Sequence, residues 1–139
     1  DEKLIPTVIR SALEGLPIPV YGDGLNIRDW LFVKDHCSAL HLVFHSGKSG
    51  DTYNIGGNNE LTNRQVVNSI CAILDRKVPL KNKSYSSLIR FVKDRAGHDR
   101  RYAIDATKIC TELGWSAQDT FDTGITKTID WYLEKYNAS

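Results

Sequence analysis

Apolar residues recur at helical spacing over LIPTVIRSAL, at Leu4, Ile5, Val8, Ile9, Ala12 and Leu13. The pattern predicts an amphipathic helix, with Pro6 tolerated in its first turn and Gly15 and Pro17 stopping it. PIPVYGDG then reads as a short extended piece ending in a Gly-Asp-Gly turn. IRDWLFV, residues 27–33, is rich in β-branched and aromatic residues and predicts a strand. Asp35 is positioned to cap the next helix, HCSALHLVFHSG, which ends at Gly47. DTYNIGG predicts a strand closed by Gly56 and Gly57.

Thr62 and Gln65 form a capping box ahead of Val66, Val67, Ile70, Cys71, Ile73 and Leu74, again at helical spacing. Residues 76–87 are basic, serine-rich and irregular. LIRFV predicts a strand, and YAID a further short one. Asp105 is expected to cap ATKICTELG, with Gly114 at its end. A last helix starts near Asp122 and places Ile125, Ile129, Tyr132, Leu133 and Tyr136 on one face. The class implied is α/β: a small mixed helix-and-short-strand domain over residues 1–139, without repeat or linker. Short strands separated by helices look like additions to a larger sheet.

Composition narrows this picture. The 139 residues are 41% hydrophobic and 25% charged, as in a globular chain able to bury a core without staples. No apolar run is long enough for a membrane span, and DEKLIPTVIR lacks the basic and apolar regions of a signal peptide. Cys37, Cys71 and Cys110 are odd in number and far apart, which argues against a disulfide framework or metal site. Buried packing is expected for all three, and a reducing, cytoplasmic setting for the protein. His36, His41 and His45 share a helix but are expected on no common ligand face.

The net charge of +1 hides an asymmetry. Residues 76–108 carry 10 basic and 3 acidic groups, between flanking segments that are each net acidic. So local an island disfavours a general nucleic-acid surface and suits a compact anion or a solvated face. No RNA-binding aromatic pattern or helix-turn-helix accompanies it. The densest part is DRAGHDRR, where Gly97 allows a bend that would let Arg95 and His98 converge. Arg100 and Arg101 have Asp99 and Asp105 as candidate salt-bridge partners.

Two further stretches join glycine to polar groups. In VYGDGLNIRDW, Ile27 stands where a dinucleotide fingerprint needs a third glycine, and the turn precedes a strand, not a helix. The Rossmann fingerprint is therefore absent. Arg28, on a strand, is a suitable fork for phosphate oxygens, with a salt bridge to Asp29 or Asp23 as the alternative. In YNIGGNNELTN, Asn63 falls in the first turn of the capped helix, where its amide can read a hydroxyl or simply face solvent. No Tyr-x-x-x-Lys, GxSxG, HExxH or P-loop occurs, so no catalytic residue is expected in the chain.

Taken in order, EKLIP, PVYGDGLNIRDWLFVKDH, TYNIGGNNELTN, DRAGHDRRYAID, LGW and WYL resemble the C-terminal half of the dTDP-glucose 4,6-dehydratases. These belong to the extended short-chain dehydrogenase/reductase family of nucleotide-sugar enzymes. The resemblance implies a lyase of deoxysugar (rhamnose-type) biosynthesis that converts dTDP-glucose to dTDP-4-keto-6-deoxyglucose. It implies an N-terminal Rossmann half that holds NAD and the catalytic groups. Hydride leaves the hexose C4, water is lost across C5 and C6, and hydride returns to C6. The chain by itself is expected to hold no NAD and to be inactive.

Within this chain the resemblance implies a nucleotide-sugar site for dTDP-glucose or dTDP. Lys3 and Leu4 would line the nucleotide pocket, and Pro19, Val20 and Tyr21 would pack around base and ribose. Arg28 and Arg95 would clamp the diphosphate from two sides. Asn63 would bond the nucleotide portion, and Asp94 and His98 would complete that wall. Arg100 and Arg101 are expected to support the loop or pair with acids. Ala96 departs from the proline usual in the family's DRPGHD string. Family enzymes are commonly homodimers, through contacts largely in the other half. Binding by another nucleotide-sugar epimerase or dehydratase, or by a non-catalytic module for an anion or an acidic protein, are the alternative readings.

Overall fold

In the computed structural model, residues 3–94, 97, 99–102 and 104–138 are described. Five helices and five short strands run in the order α1 (Leu4–Leu13), β1 (Ile18–Tyr21), β2 (Ile27–Asp29), α2 (Val33–Ser46), β3 (Glu60–Thr62), α3 (Asn63–Lys77), β4 (Ile89–Val92), β5 (Arg101–Tyr102), α4 (Thr107–Leu113) and α5 (Phe121–Ala138). A single 3₁₀ turn, Tyr85–Leu88, leads into β4. The fold is mixed α/β.

The strands form two small sheets. β1 pairs with β4 in parallel, Tyr21 opposite Val92. In the other sheet β2 is central, antiparallel to β3 and parallel to β5. Parallel pairing joins strands far apart in sequence, so each sheet draws a distant segment back onto residues 18–29.

The main core follows the helical periodicity. Val8, Ile9 and Ala12 of α1, Val66, Val67, Ile70, Cys71 and Leu74 of α3, and Ile125 and Ile129 of α5 pack on Ile18 and Val20. α3 starts as its sequence predicts: Gln65 N donates to Thr62 Oγ1 at 3.1 Å, and Thr62 N donates to Gln65 Oε1 at 2.8 Å. A smaller cluster of Ala39, Ile109 and Trp115 joins α2 to α4.

Several expectations are corrected. The strand beginning at Ile27 ends at Asp29, because the chain enters α2 at Val33. Asp35 is not the cap. It lies buried in the first turn of α2, and its two carboxylate oxygens accept Gln118 N at 2.9 Å and Asp119 N at 3.0 Å. Residues 51–57 form no ladder among the described residues, since a β-rich pattern becomes a strand only beside a partner. Asp105 stands one residue ahead of the α4 cap and accepts Thr107 N at 2.9 Å. Tyr136, expected on the buried face of α5, is exposed. Only Cys71 is buried, and burial pushes its thiol up to about 11; Cys37 and Cys110 are exposed. His41 and His45, four residues apart, lie with ring centroids 4.3 Å apart, but among the described residues no group of three metal-ligating side chains includes them.

Candidate functional site

The segment after β1 is the hinge of the site. Gly22, at φ +63°, turns the chain and donates its N–H to Val92 O at 2.8 Å. A Cβ at Gly22 would stand 3.0 Å from Asp94 Oδ2, so glycine lets Asp94 lie directly on the turn. Asp94 thus sits beside the strand that carries Pro19, Val20 and Tyr21. Pro19 and Tyr21 are half-buried, while Val20 is 2% exposed and belongs to the core. Val20 also lines a cleft of 360 Å³ with Arg64, Val67, Ile89 and Phe91.

Arg28 lies on the central strand β2, half-buried, opposite Leu61 on β3 and Tyr102 on β5. Its Nη1 donates to Ile27 O at 2.8 Å, rather than pairing with Asp23 or Asp29. Asp29 is engaged otherwise: its carboxylate accepts Gly57 N at 3.1 Å and Asn59 N at 2.8 Å. A Cβ on Gly56 or Gly57 would strike Asp29 Oδ2 or Trp30 O, which accounts for the double glycine. The Asp29 carboxylate therefore fastens the loop leading into β3 and α3. Asn63 opens α3, half-buried, and donates its N–H to Asn26 O at 3.0 Å.

The structure thus brings Tyr21, Arg28, Asn63 and Asp94 onto one connected framework of β1, β2 and the start of α3. Lys3 and Leu4 lie at the start of α1, Lys3 exposed and Leu4 packed on the main core. Arg95 and His98 lie outside the described residues. Gly97 between them has φ +75°, the left-handed backbone its identity suggests.

The partners of Arg100 and Arg101 differ from the sequence neighbours expected. Arg100 forms a two-point pair with Asp23, at 2.7 and 3.0 Å. Arg101 pairs with Glu60 at 2.6 Å. The hydrogen bonds from Arg100 lower the Asp23 carboxyl to about 2.

Asn26 escaped notice in the sequence. It is 1% exposed, donates Nδ2 to Asp99 O at 3.0 Å, and leaves Oδ1 buried without a partner. Its position next to a Gly-Asp-Gly turn was the one available signal.

A dinucleotide does not fit the residues present. The Gly22–Gly24 turn runs into a strand and presents Asp23, and the Gly57 N–H is already taken by Asp29. Among the described residues no cluster of His, Cys, Asp or Glu could hold a metal ion, and no helix is long and apolar enough to cross a membrane. A cavity of 650 Å³ lies elsewhere, between Pro6, Trp30, Phe32, Phe121, Gly124 and Trp131. None of the eight described residues that the sequence nominates lines it.

The family model described as GDP-mannose 4,6 dehydratase matches residues 1–128. A probable dTDP-glucose 4,6-dehydratase of Sinorhizobium fredii is 61% identical over 133 residues, 96% of this chain and 38% of that protein. A dTDP-glucose 4,6-dehydratase of Escherichia coli K12 is 60% identical over 95% of this chain and 36% of its own length. The crystal structure of the Bacillus anthracis dTDP-glucose 4,6-dehydratase in complex with NAD superposes with a TM-score of 0.85 at 49% identity, over 97% of this chain and 40% of that one. The chain therefore spans well under half the length of the relatives it matches. It belongs to the GDP-mannose 4,6-dehydratase family of NAD-dependent nucleotide-sugar enzymes, and within that family it is similar to the dTDP-glucose 4,6-dehydratases.

Proposed function

We propose that this chain is the C-terminal, nucleotide-sugar-binding portion of a dTDP-glucose 4,6-dehydratase. One observation carries the reading. The parallel pairs β1–β4 and β2–β5 bring both described ends of the 94–100 segment, which carries Arg95, His98 and Arg100, against the strands that hold Tyr21 and Arg28. A diphosphate needs cations from more than one side, and in this reading Arg28 and the 94–100 segment, far apart in sequence, provide them.

In this reading Pro19, Val20 and Tyr21 pack around the base and ribose. Arg28 and Arg95 hold the diphosphate, and Asn63 bonds the nucleotide portion. Asp94 and His98 complete the wall, and Lys3 and Leu4 line the pocket where the chain enters. The chain binds and orients the nucleotide end of dTDP-glucose, leaving the hexose to the catalytic groups and NAD of a Rossmann portion. Exposed apolar residues support an incomplete unit. Val33, Leu40 and Phe44 form a stripe along α2, with Phe44 85% exposed.

A chimera tests the assignment. Joined to the remaining portion of the 60%-identical E. coli relative, this chain restores formation of dTDP-4-keto-6-deoxyglucose from dTDP-glucose, followed by its alkaline chromophore. The chain alone forms none. Product from the chain alone, or none from a folded chimera that binds dTDP-glucose, contradicts the reading.

A further inference from the structure

The buried oxygen of Asn26 is a cost that the fold retains. An unpaired buried acceptor is destabilising, and a leucine of similar size would avoid it. What Asn26 supplies in return through its side chain is one bond to a three-way junction whose other two bonds are backbone. Its Nδ2 holds Asp99 O, its backbone O accepts the N–H of Asn63, and the next residue, Ile27, donates to Arg100 O at 2.8 Å. Three residues upstream, Asp23 grips the Arg100 guanidinium through both carboxylate oxygens. At the other end of the same segment, Gly22 N holds Val92 O and Asp94 lies on the Gly22 backbone. The turn 22–26 therefore touches both described ends of the 94–100 segment, and it runs directly into Arg28.

We propose that Asp23 and Asn26 are positioning residues: they hold the 94–100 segment in register with Arg28, so that diphosphate affinity depends on side chains that need not touch the diphosphate. This rests on the nucleotide-binding reading above and deepens it. The proposal makes a prediction of unexpected sign. Asp23 is an acid beside an anion site, so by Coulomb's law alone its removal strengthens anion binding. If Asp23 acts as a clamp, its removal weakens binding, because the Arg100 anchor is lost. Both partners of the pair are well exposed, so the exchange leaves the core intact.

The test is calorimetric titration of dTDP and of thymidine into the chain, into Asp23→Asn, and into the swapped pair Asp23→Arg with Arg100→Asp. Near-UV circular dichroism verifies folding. The clamp predicts about three- to fivefold weaker dTDP binding by Asp23→Asn, on the scale of an exposed ion pair. Thymidine affinity stays unchanged, and the swapped pair recovers most of the loss. Unchanged or tighter dTDP binding by Asp23→Asn overturns the proposal. So does equal weakening for both ligands, which marks general loosening, or a swap that restores nothing. If the parent chain binds neither ligand, the nucleotide-binding reading itself has failed, and the parent titration alone shows it.

Discussion

Replacing Arg28 with alanine lowers the affinity of the chain for dTDP by about 30- to 150-fold, or about 2–3 kcal/mol. The size follows from where the side chain stands. β2 is flanked on both edges by other strands, so the Cα of Arg28 cannot drift. The bond from Nη1 to Ile27 O orients the guanidinium plane before any ligand arrives. A fork fixed in this way loses little entropy on meeting phosphate oxygens. Arg28→Lys keeps the charge but not the planar paired donors, and recovers only part of the affinity. The measurement is the same dTDP titration, with circular dichroism to show that the sheet persists. Wild-type affinity in Arg28→Ala removes Arg28 from the diphosphate grip.

The second large effect falls on stability. Asp35→Ala destabilises the chain by about 3 kcal/mol and lowers Tm by about 10 °C for a domain of this size. The Asp35 carboxylate is 3% exposed and ends two backbone N–H groups, those of Gln118 and Asp119. Close by, Asp35 O accepts Ser38 Oγ, and Ser38 Oγ in turn accepts Trp115 Nε1. Alanine leaves the Gln118 and Asp119 N–H groups without their acceptor in a partly buried setting. It also removes an anion from the first turn of α2, where the helix dipole favours one. Asn at this position can still accept one of the two bonds, so Asp35→Asn loses about half as much. Thermal unfolding followed by far-UV circular dichroism decides it. A Tm within about 2 °C of the parent shows that the 115–119 segment is held by something else.

Helices were the legible part of the sequence. The 3.6-residue period and local caps place α1 and α3 closely, because the signals for a helix lie within its own residues. Strands were less so, since their limits depend on partners elsewhere in the chain. Residues 27–33 look like one strand, yet only Ile27–Asp29 pair. DTYNIGG has the composition of a strand and pairs with nothing among the described residues.

The site shows the same division. Arg28 and Asn63 were nominated on residue type and family resemblance, and the fold places them near one another. The partners of Arg100 and Arg101 were sought among nearby acids, but they come from the other sheet segments, 77 and 41 residues away. Those two pairs also quench part of the basic island, which weakens the alternative of a docking face for an acidic protein. Asn26 and Asp29 lie inside one of the strings that carry the resemblance, but the string does not name their partners. Their roles arise because a distant backbone arrives beside them, which spacing along the chain does not encode.

The measurement that bears most directly on the central claim is calorimetric titration of dTDP into the folded 139-residue chain, with UDP as the reference. A preformed half-site gives saturable binding that is tighter for dTDP than for UDP. No saturable dTDP binding by a chain whose near-UV circular dichroism shows fixed tertiary packing would contradict the assignment of nucleotide recognition to these residues.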